Sequence, residues 1–241
     1  MGQNDWTAAE HFYRESLALV ERVGDPAGQV QTYNRQVVVA MMTGRPTEAE
    51  GCYKRALELC DTLQPDSREQ AAVLNKLAYL LLSEIRADRA RATRLTEARG
   101  YAERAVAILE TLEASSGAWA PLNILSDIAE VEGRTEEARV YRRREREAYA
   151  AFAGNRYHID QYLGTLIPNI VAGAQGDEQA QKVVEKVLSQ LEAKGRQIIE
   201  AIRRIWAGER EWHALVERMG NNSGLLVRRV LETLGQGTQE E

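Results

Sequence analysis

Three carboxamides offer the clearest chemistry in the chain. Asn34 and Asn123 each lie ten residues before a turn glycine, Gly44 and Gly133, and Asn75 lies three residues before Ala78 in the run Val73-Leu74-Asn75-Lys76-Leu77-Ala78. A carboxamide both donates and accepts, so it can pair with the main chain of another polypeptide whatever its side chains are. Gln31, Val38 and Met41, then Tyr79 and Leu82, then Asp127 and Val131 lie within a helical turn or two of these positions and would line the same face. This mixture of polar and apolar groups suits an extended peptide. Arg35 and Lys76, each directly following an asparagine, add a weak pull toward an acidic ligand. The competing role for each asparagine is a helix–helix hydrogen bond or plain solvent exposure.

Other chemistry finds little support. Gly220-Asn221-Asn222-Ser223-Gly224 lacks the lysine that a phosphate-binding loop requires. His11, His158 and His213 are far apart, and the pair His158 and Asp160 suits a surface or capping role. No serine or cysteine stands in a nucleophile motif. Cys52 and Cys60 lie eight residues apart on one predicted helix, roughly 12 Å along its axis. That is too far for a disulfide, and no His/Cys partner pair completes a zinc site. Two small core-facing thiols in a reducing compartment are expected. Neither a catalytic site, a metal nor a cofactor is expected.

The elements that hold the asparagines can be read from a repeat. Gly44-Arg45-Pro46-Thr47-Glu48-Ala49 returns as Gly133-Arg134-Thr135-Glu136-Glu137-Ala138. The helix that follows it also occurs without the Gly-Arg start, at Thr7 to Leu19 and at Thr96 to Leu112. Aligned on Ala9, Ala49, Ala98 and Ala138, the copies are spaced by 40, 49 and 40 residues. Four residues on stand Tyr13, Tyr53, Ala102 and Arg142; seven on stand Ser16, Ala56, Ala105 and Glu145. Offsets of four and seven share one helix face, and small residues there let neighbouring helices approach closely. The last copy is shifted, with Tyr141 one residue early. The preceding helices are predicted over Ala27 to Met42, Arg68 to Ile85 and Ala120 to Glu132. Pro26, Pro65 and Pro121 lie near their starts, and Gly44 and Gly133 follow two of their ends as left-handed caps.

These motifs resemble the tetratricopeptide repeat (TPR) over roughly residues 5 to 150. The period near 40 resembles the longer variety found in kinesin light chains and in bacterial signal-transduction (STAND-type) ATPases. The resemblance implies an all-α, right-handed superhelical solenoid of antiparallel helix pairs, with the first helix of each pair lining the concave side. It also implies that Asn34, Asn75 and Asn123 bond the backbone of a peptide held in the groove, because groove asparagines do so in kinesin light chains. Three departures stand out: Val37 occupies a position where a small residue is usual, an Arg-rich insertion runs from Arg86 to Arg94, and the chain opens on a second helix.

That opening leaves Trp6, Phe12 and Leu19 without a preceding partner helix. Excision from a longer array is the favoured explanation, in keeping with a Met1-Gly2 cloning start. A homo-oligomeric or intramolecular partner covering the first helix is the alternative.

Beyond residue 153 the repeat stops. Helices are predicted over Tyr157 to Ala172, Glu178 to Ala193, Gln197 to Trp206, Trp212 to Met219 and Leu225 to Leu234, with Pro168 breaking or bending the first. Ile199 to Arg210 and Leu225 to Leu234 resemble the closing module of repeat regions in those bacterial ATPases. Two domains are therefore expected: an array over 1–153, a lone first helix plus about three pairs, and a small C-terminal helical capping module over 154–241 with a short polar tail. Trp206 and Trp212 are expected to pack inside the cap.

The 241 residues carry a formal net charge of −5, and the hydrophobic fraction of 44% is enough for a core built mainly from Leu, Val, Ile and Ala. No apolar run approaches the ~20 residues a bilayer demands, and no secretory leader is visible, so a cytoplasmic protein is expected. Arg142-Arg143-Arg144-Arg146 and the Arg86–Arg99 stretch are interleaved with Glu and Asp, so nucleic acid is not an expected partner. The leading functional expectation is a protein–protein interaction module, an adaptor or scaffold that binds a peptide or partner protein in its concave groove. The alternatives are a sensor or regulatory arm of a larger bacterial signalling ATPase or effector, and a homo-oligomeric scaffold.

Overall fold

A computed structural model describes residues 5–112, 117–190 and 192–237. The Met1-Gly2 start and the polar tail from residue 238 lie outside them. The chain divides into two compact units, Met1–Arg142 and Arg143–Glu241.

The first unit is a helical repeat array. Its helices are α1 (Trp6–Val23), α2 (Pro26–Met42), α3 (Pro46–Leu63), α4 (Arg68–Ala87), α5 (Leu95–Thr111), α6 (Trp119–Val131) and the start of α7 (Thr135–Ala151). Side-chain caps begin several of them: Asp5 accepts from the Ala8 N–H, Asp25 from the Gly28 N–H and Ser67 from the Gln70 N–H, at 3.0, 3.0 and 3.1 Å. Pro26 and Pro46 open α2 and α3, where no N–H is missed. Gly24, Gly44 and Gly133 end turns at φ 67°, 73° and 75°, conformations that side chains disfavour.

The alanines of the repeat pack as the spacing requires. Ala49, Ala56, Ala98, Ala102, Ala105 and Ala138 are buried, whereas Tyr53 is half-buried beside them. In the shifted last copy the buried seventh position is Glu145, whose carboxylate accepts from Asn221 Nδ2 at 2.7 Å. The Arg-rich insertion begins within the last turn of α4, at Arg86 and Ala87. Arg89–Arg94 forms a 3-10 helix that leads directly into α5.

The first unit is also stitched by a recurring ionic clasp. Arg45, Arg94 and Arg134 each stand four residues before a repeat alanine and pair with the glutamate three residues on: Glu48 at 2.8 Å, Glu97 at 2.8 Å, and Glu137. Arg45 also reaches back to Glu10 at 2.9 Å and Arg94 to Glu50 at 2.6 Å, each glutamate directly following the alanine of the preceding copy. The third clasp is inverted. Arg99 holds the equivalent place and pairs forward with Glu137 at 3.1 Å and with Glu132.

The second unit contains the end of α7, then α8 (Ala153–Leu163), α9 (Leu166–Ala174), α10 (Glu178–Ser189), α11 (Glu192–Trp206), α12 (Trp212–Val216) and α13 (Asn221–Gly237). The helix expected over Tyr157–Ala172 is two helices instead. The pyrrolidine of Pro168 would meet the carbonyl four residues back, at Gly164, and the helix ends at Leu163. Pro168 itself sits in the first turn of α9, where its missing N–H has no intrahelical role. The helix expected over Trp212–Met219 is a short α12, and α13 begins at Asn221, earlier than expected. Ile170, Val184, Leu188, Ile202, Ile205 and Val230 centre the core. Trp212 is buried with Nε1 donating to the Gly224 carbonyl at 2.9 Å, and Trp206 packs against the core.

Candidate peptide-binding groove

Burial shows that the three asparagines hold equivalent positions. The residues one before (Tyr33, Leu74, Leu122), three after (Val37, Ala78, Ser126) and six after (Ala40, Leu81, Ala129) are all buried, so each asparagine stands on the outer edge of its helix. Val37 therefore fits where a smaller residue was expected. Ser126 is anchored there, donating to the Ala138 carbonyl and accepting from Arg142 Nε at 3.2 and 3.1 Å.

The outer face carries two cavities that share Lys76. One, of about 570 Å³, is walled by Pro26, Val30, Leu63 and Val73, with Gln31 and Asn34 among its polar groups. The other, of about 390 Å³, is walled by Met41, Tyr53, Tyr79, Leu80, Trp119 and Ile124 and holds Asn75 and Asn123. Val38, Met41 and Tyr79 are all exposed, so the face presents apolar surface without being buried by the fold. Lys76 bridges the cavities, 6.0 Å from the Tyr53 ring centroid, and partial burial lowers the pKa of its ammonium.

The asparagines differ in how far the fold uses them. Asn34 donates to the Val30 carbonyl at 3.0 Å and accepts from Lys76 Nζ at 2.9 Å, so its amide is engaged within the chain. Asn75 Oδ1 is buried without a hydrogen-bond partner. Asn123 is exposed at the rim of the same cavity. Arg35 is exposed on α2 and lines neither cavity. Asp127 lies outside both and pairs with Arg86 at 2.8 Å. Leu82, expected among the lining residues, is fully buried: it faces the core from a helix that is apolar over more than one side. Val131 is half-buried. Tyr53, Trp119 and Ile124 were not anticipated as walls. Trp119 stands one turn before Asn123, which is the spacing that could have indicated it.

Among the described residues no three His, Cys, Asp or Glu side chains converge as a metal site, and no helix is long and apolar enough to cross a membrane. Cys52 and Cys60 are free thiols, and burial raises the pKa of both.

No protein-family model matches the chain, and no curated protein matches it. Its structure is similar to the crystal structure of BtubC (BKLC) from P. vanneervenii, a TPR-type protein, with a TM-score of 0.52 and 16% sequence identity over 97% of this chain and 93% of that one. The likeness establishes a TPR-like, all-α helical repeat fold.

Proposed function

We propose that the chain is a protein–protein interaction module, without catalytic activity, that holds an extended peptide or partner segment along the face formed by α2, α4 and α6. The observation that carries this reading is Asn75. Its Oδ1 is buried with no donor, and the residue lines a cavity of about 390 Å³ walled by Tyr79, Trp119 and Met41 with Asn123 at the rim. A buried acceptor without a donor costs about 1–3 kcal/mol. On binding, rotation of the Asn75 side chain would turn Oδ1 toward the cavity, where the backbone N–H of a bound peptide would supply that donor, and Asn123 would supply a second contact. The apolar walls would take peptide side chains, while Gln31, Asn34, Arg35, Val38, Met41, Lys76, Tyr79 and Asp127 would form the rest of the face. On this reading residues 1–153 provide the binding array and 154–241 a second helical module. The free thiols accord with a reducing, cytoplasmic setting.

The test is calorimetric titration with a peptide selected by display on the whole chain. Asn75→Ala combined with Asn123→Ala is expected to weaken binding about thirtyfold, roughly 2 kcal/mol for two lost backbone contacts. Helicity should stay unchanged. Asn75→Ala alone is expected to leave stability unchanged or raise it by up to about 1 kcal/mol, because it removes an unsatisfied acceptor. Unaltered affinity in the double variant would refute the groove.

A further inference from the structure

One face of α1 is apolar and uncovered, and its charges say what fits it. Phe12, Leu19 and Val23 are 64%, 49% and 64% exposed, and no residue of α1 is fully buried, although Leu17 on its other side packs against the core. Ala8, Phe12, Glu15, Leu19 and Arg22 follow one another at intervals of four, three, four and three residues. That is the seam spacing by which one helix packs along another, and Val23 borders it. Two charges fall within this seam, an acid at Glu15 and a base at Arg22, on either side of Leu19.

A helix that pairs antiparallel with its own copy, about a two-fold axis perpendicular to it, is favoured by a charge pattern that inverts about a midpoint. Glu15 and Arg22 do so. With the axis beside Leu19 and the helices antiparallel, Leu19 meets its own counterpart. Glu15 faces Arg22 of the second copy twice over, and Phe12 lies over the C-terminal end of the second copy's α1, just beyond Val23. In-register parallel pairing would set Glu15 against Glu15 and Arg22 against Arg22. Among the described residues nothing competes strongly for these charges. Arg22 has no ion-pair partner among the described residues, and Glu15 has an exposed contact with His11 at 3.4 Å.

We propose that α1 is the interface of an antiparallel homodimer, and that the occupant of its apolar face is a second copy of this chain. None of the proposed groove residues lies on α1, so each dimer would keep two grooves free and could bind a bivalent partner with avidity.

Sedimentation equilibrium of the full chain into the high micromolar range tests this. A monomer–dimer equilibrium is expected. Glu15→Arg alone and Arg22→Glu alone should each weaken it about tenfold or more, since both faced pairs become like-charged. The double swap should restore it. Mixing the two single variants should give a heterodimer, because each then presents the charge the other lacks, an outcome that misfolding cannot imitate. A monomer throughout that range overturns the proposal, and so does a dimer indifferent to the swaps. A preceding helix or a different protein covering the face would give the first result.

Discussion

Replacing Arg94 with alanine is expected to destabilise the first unit by about 3 kcal/mol, read as an earlier chemical-denaturation midpoint at unchanged m-value. Arg94 stands at the end of the 3-10 insertion and grips Glu50 through two nitrogens, at 2.9 and 2.6 Å, and Glu97 at 2.8 Å. It also lies 3.6 Å from Glu84. The side chains of Glu50 and Glu84 are only 13% and 9% exposed. Glu84 is held by charge rather than by aligned hydrogen bonds: Arg91 Nη1 lies 2.7 Å from it, yet neither carboxylate oxygen has a hydrogen-bond partner. Removing Arg94 leaves these carboxylates enclosed with less positive charge, which is why the expected loss exceeds that of a surface pair. Arg94→Lys should recover about half, since an ammonium cannot reproduce the two-nitrogen grip.

The same clasp sets an acid response. The Arg94 hydrogen bonds hold Glu50 down to a pKa of about 2, against an ordinary 4.5. A carboxyl whose folded pKa is depressed contributes its stability above the unfolded value and loses it as pH falls toward the folded one. The contribution is about 2 kcal/mol after allowance for solvent screening. It should be complete above about pH 4.5 and vanish between there and about pH 2. Glu232 in the second unit behaves alike: burial acts to raise its pKa, but Arg156 and Arg229 overcome this and bring it to about 2. Arg94→Ala should flatten the acid limb of the first unit and leave that of the second in place. A loss below about 0.5 kcal/mol would show the clasp to be an ordinary surface pair.

Gly173→Val is expected to cost the second unit about 3 kcal/mol, at the upper end of what overpacking does. Gly173 lies in α9, where a Cβ would come within 2.9 Å of Trp206 Nε1 and 3.0 Å of both Trp206 Cε2 and Gln181 Cγ. Neither neighbour is free to move. Trp206 Nε1 donates to the Ile170 carbonyl at 2.9 Å, and Gln181 Nε2 donates to the Gly173 carbonyl itself at 2.8 Å. A valine must break one of these bonds or push α11 and α9 apart, in a core centred on Ile170, Ile202 and Ile205. Gly173→Ala should cost less, about 1 kcal/mol, because helix propensity repays part of the clash. Near-UV circular dichroism follows the tryptophan packing. A double-mutant cycle with Trp206→Phe should show coupling if the indole is the obstacle, and additive losses would exclude it.

The two predictions rest on features of different legibility. The helix pairs were readable because local signals agree: small residues at fixed offsets, prolines at starts and glycines at turns all act within a few residues. Legible for the same reason was the equivalence of Asn34, Asn75 and Asn123, since burial on a helix follows from spacing. What each asparagine bonds to was not. Asn34 is engaged by Lys76, 42 residues away in sequence, whereas Asn75 Oδ1 is left unpaired. No short-range pattern distinguishes them. Leu82 was misplaced because α4 is apolar over more than one face, so periodicity alone could not tell lining from core. The clasp was half visible. Gly44-Arg45 and Gly133-Arg134 advertised two of its arginines, but the third, Arg94, lacks the glycine and lies within the Arg-rich insertion.

The inversion of the third clasp limits how the array could be lengthened by copying. Duplicating the segment of α2 and α3 would bring Glu50 against the Arg45 of the new copy, the opposition already found between Glu10 and Arg45. Duplicating α4 and α5 would bring Arg99 against the new Arg94, two cations at a junction where every existing contact is attractive. The segments are therefore not interchangeable bricks. The first can be multiplied in place, whereas the second tolerates only a successor that, like α7, offers it a carboxylate.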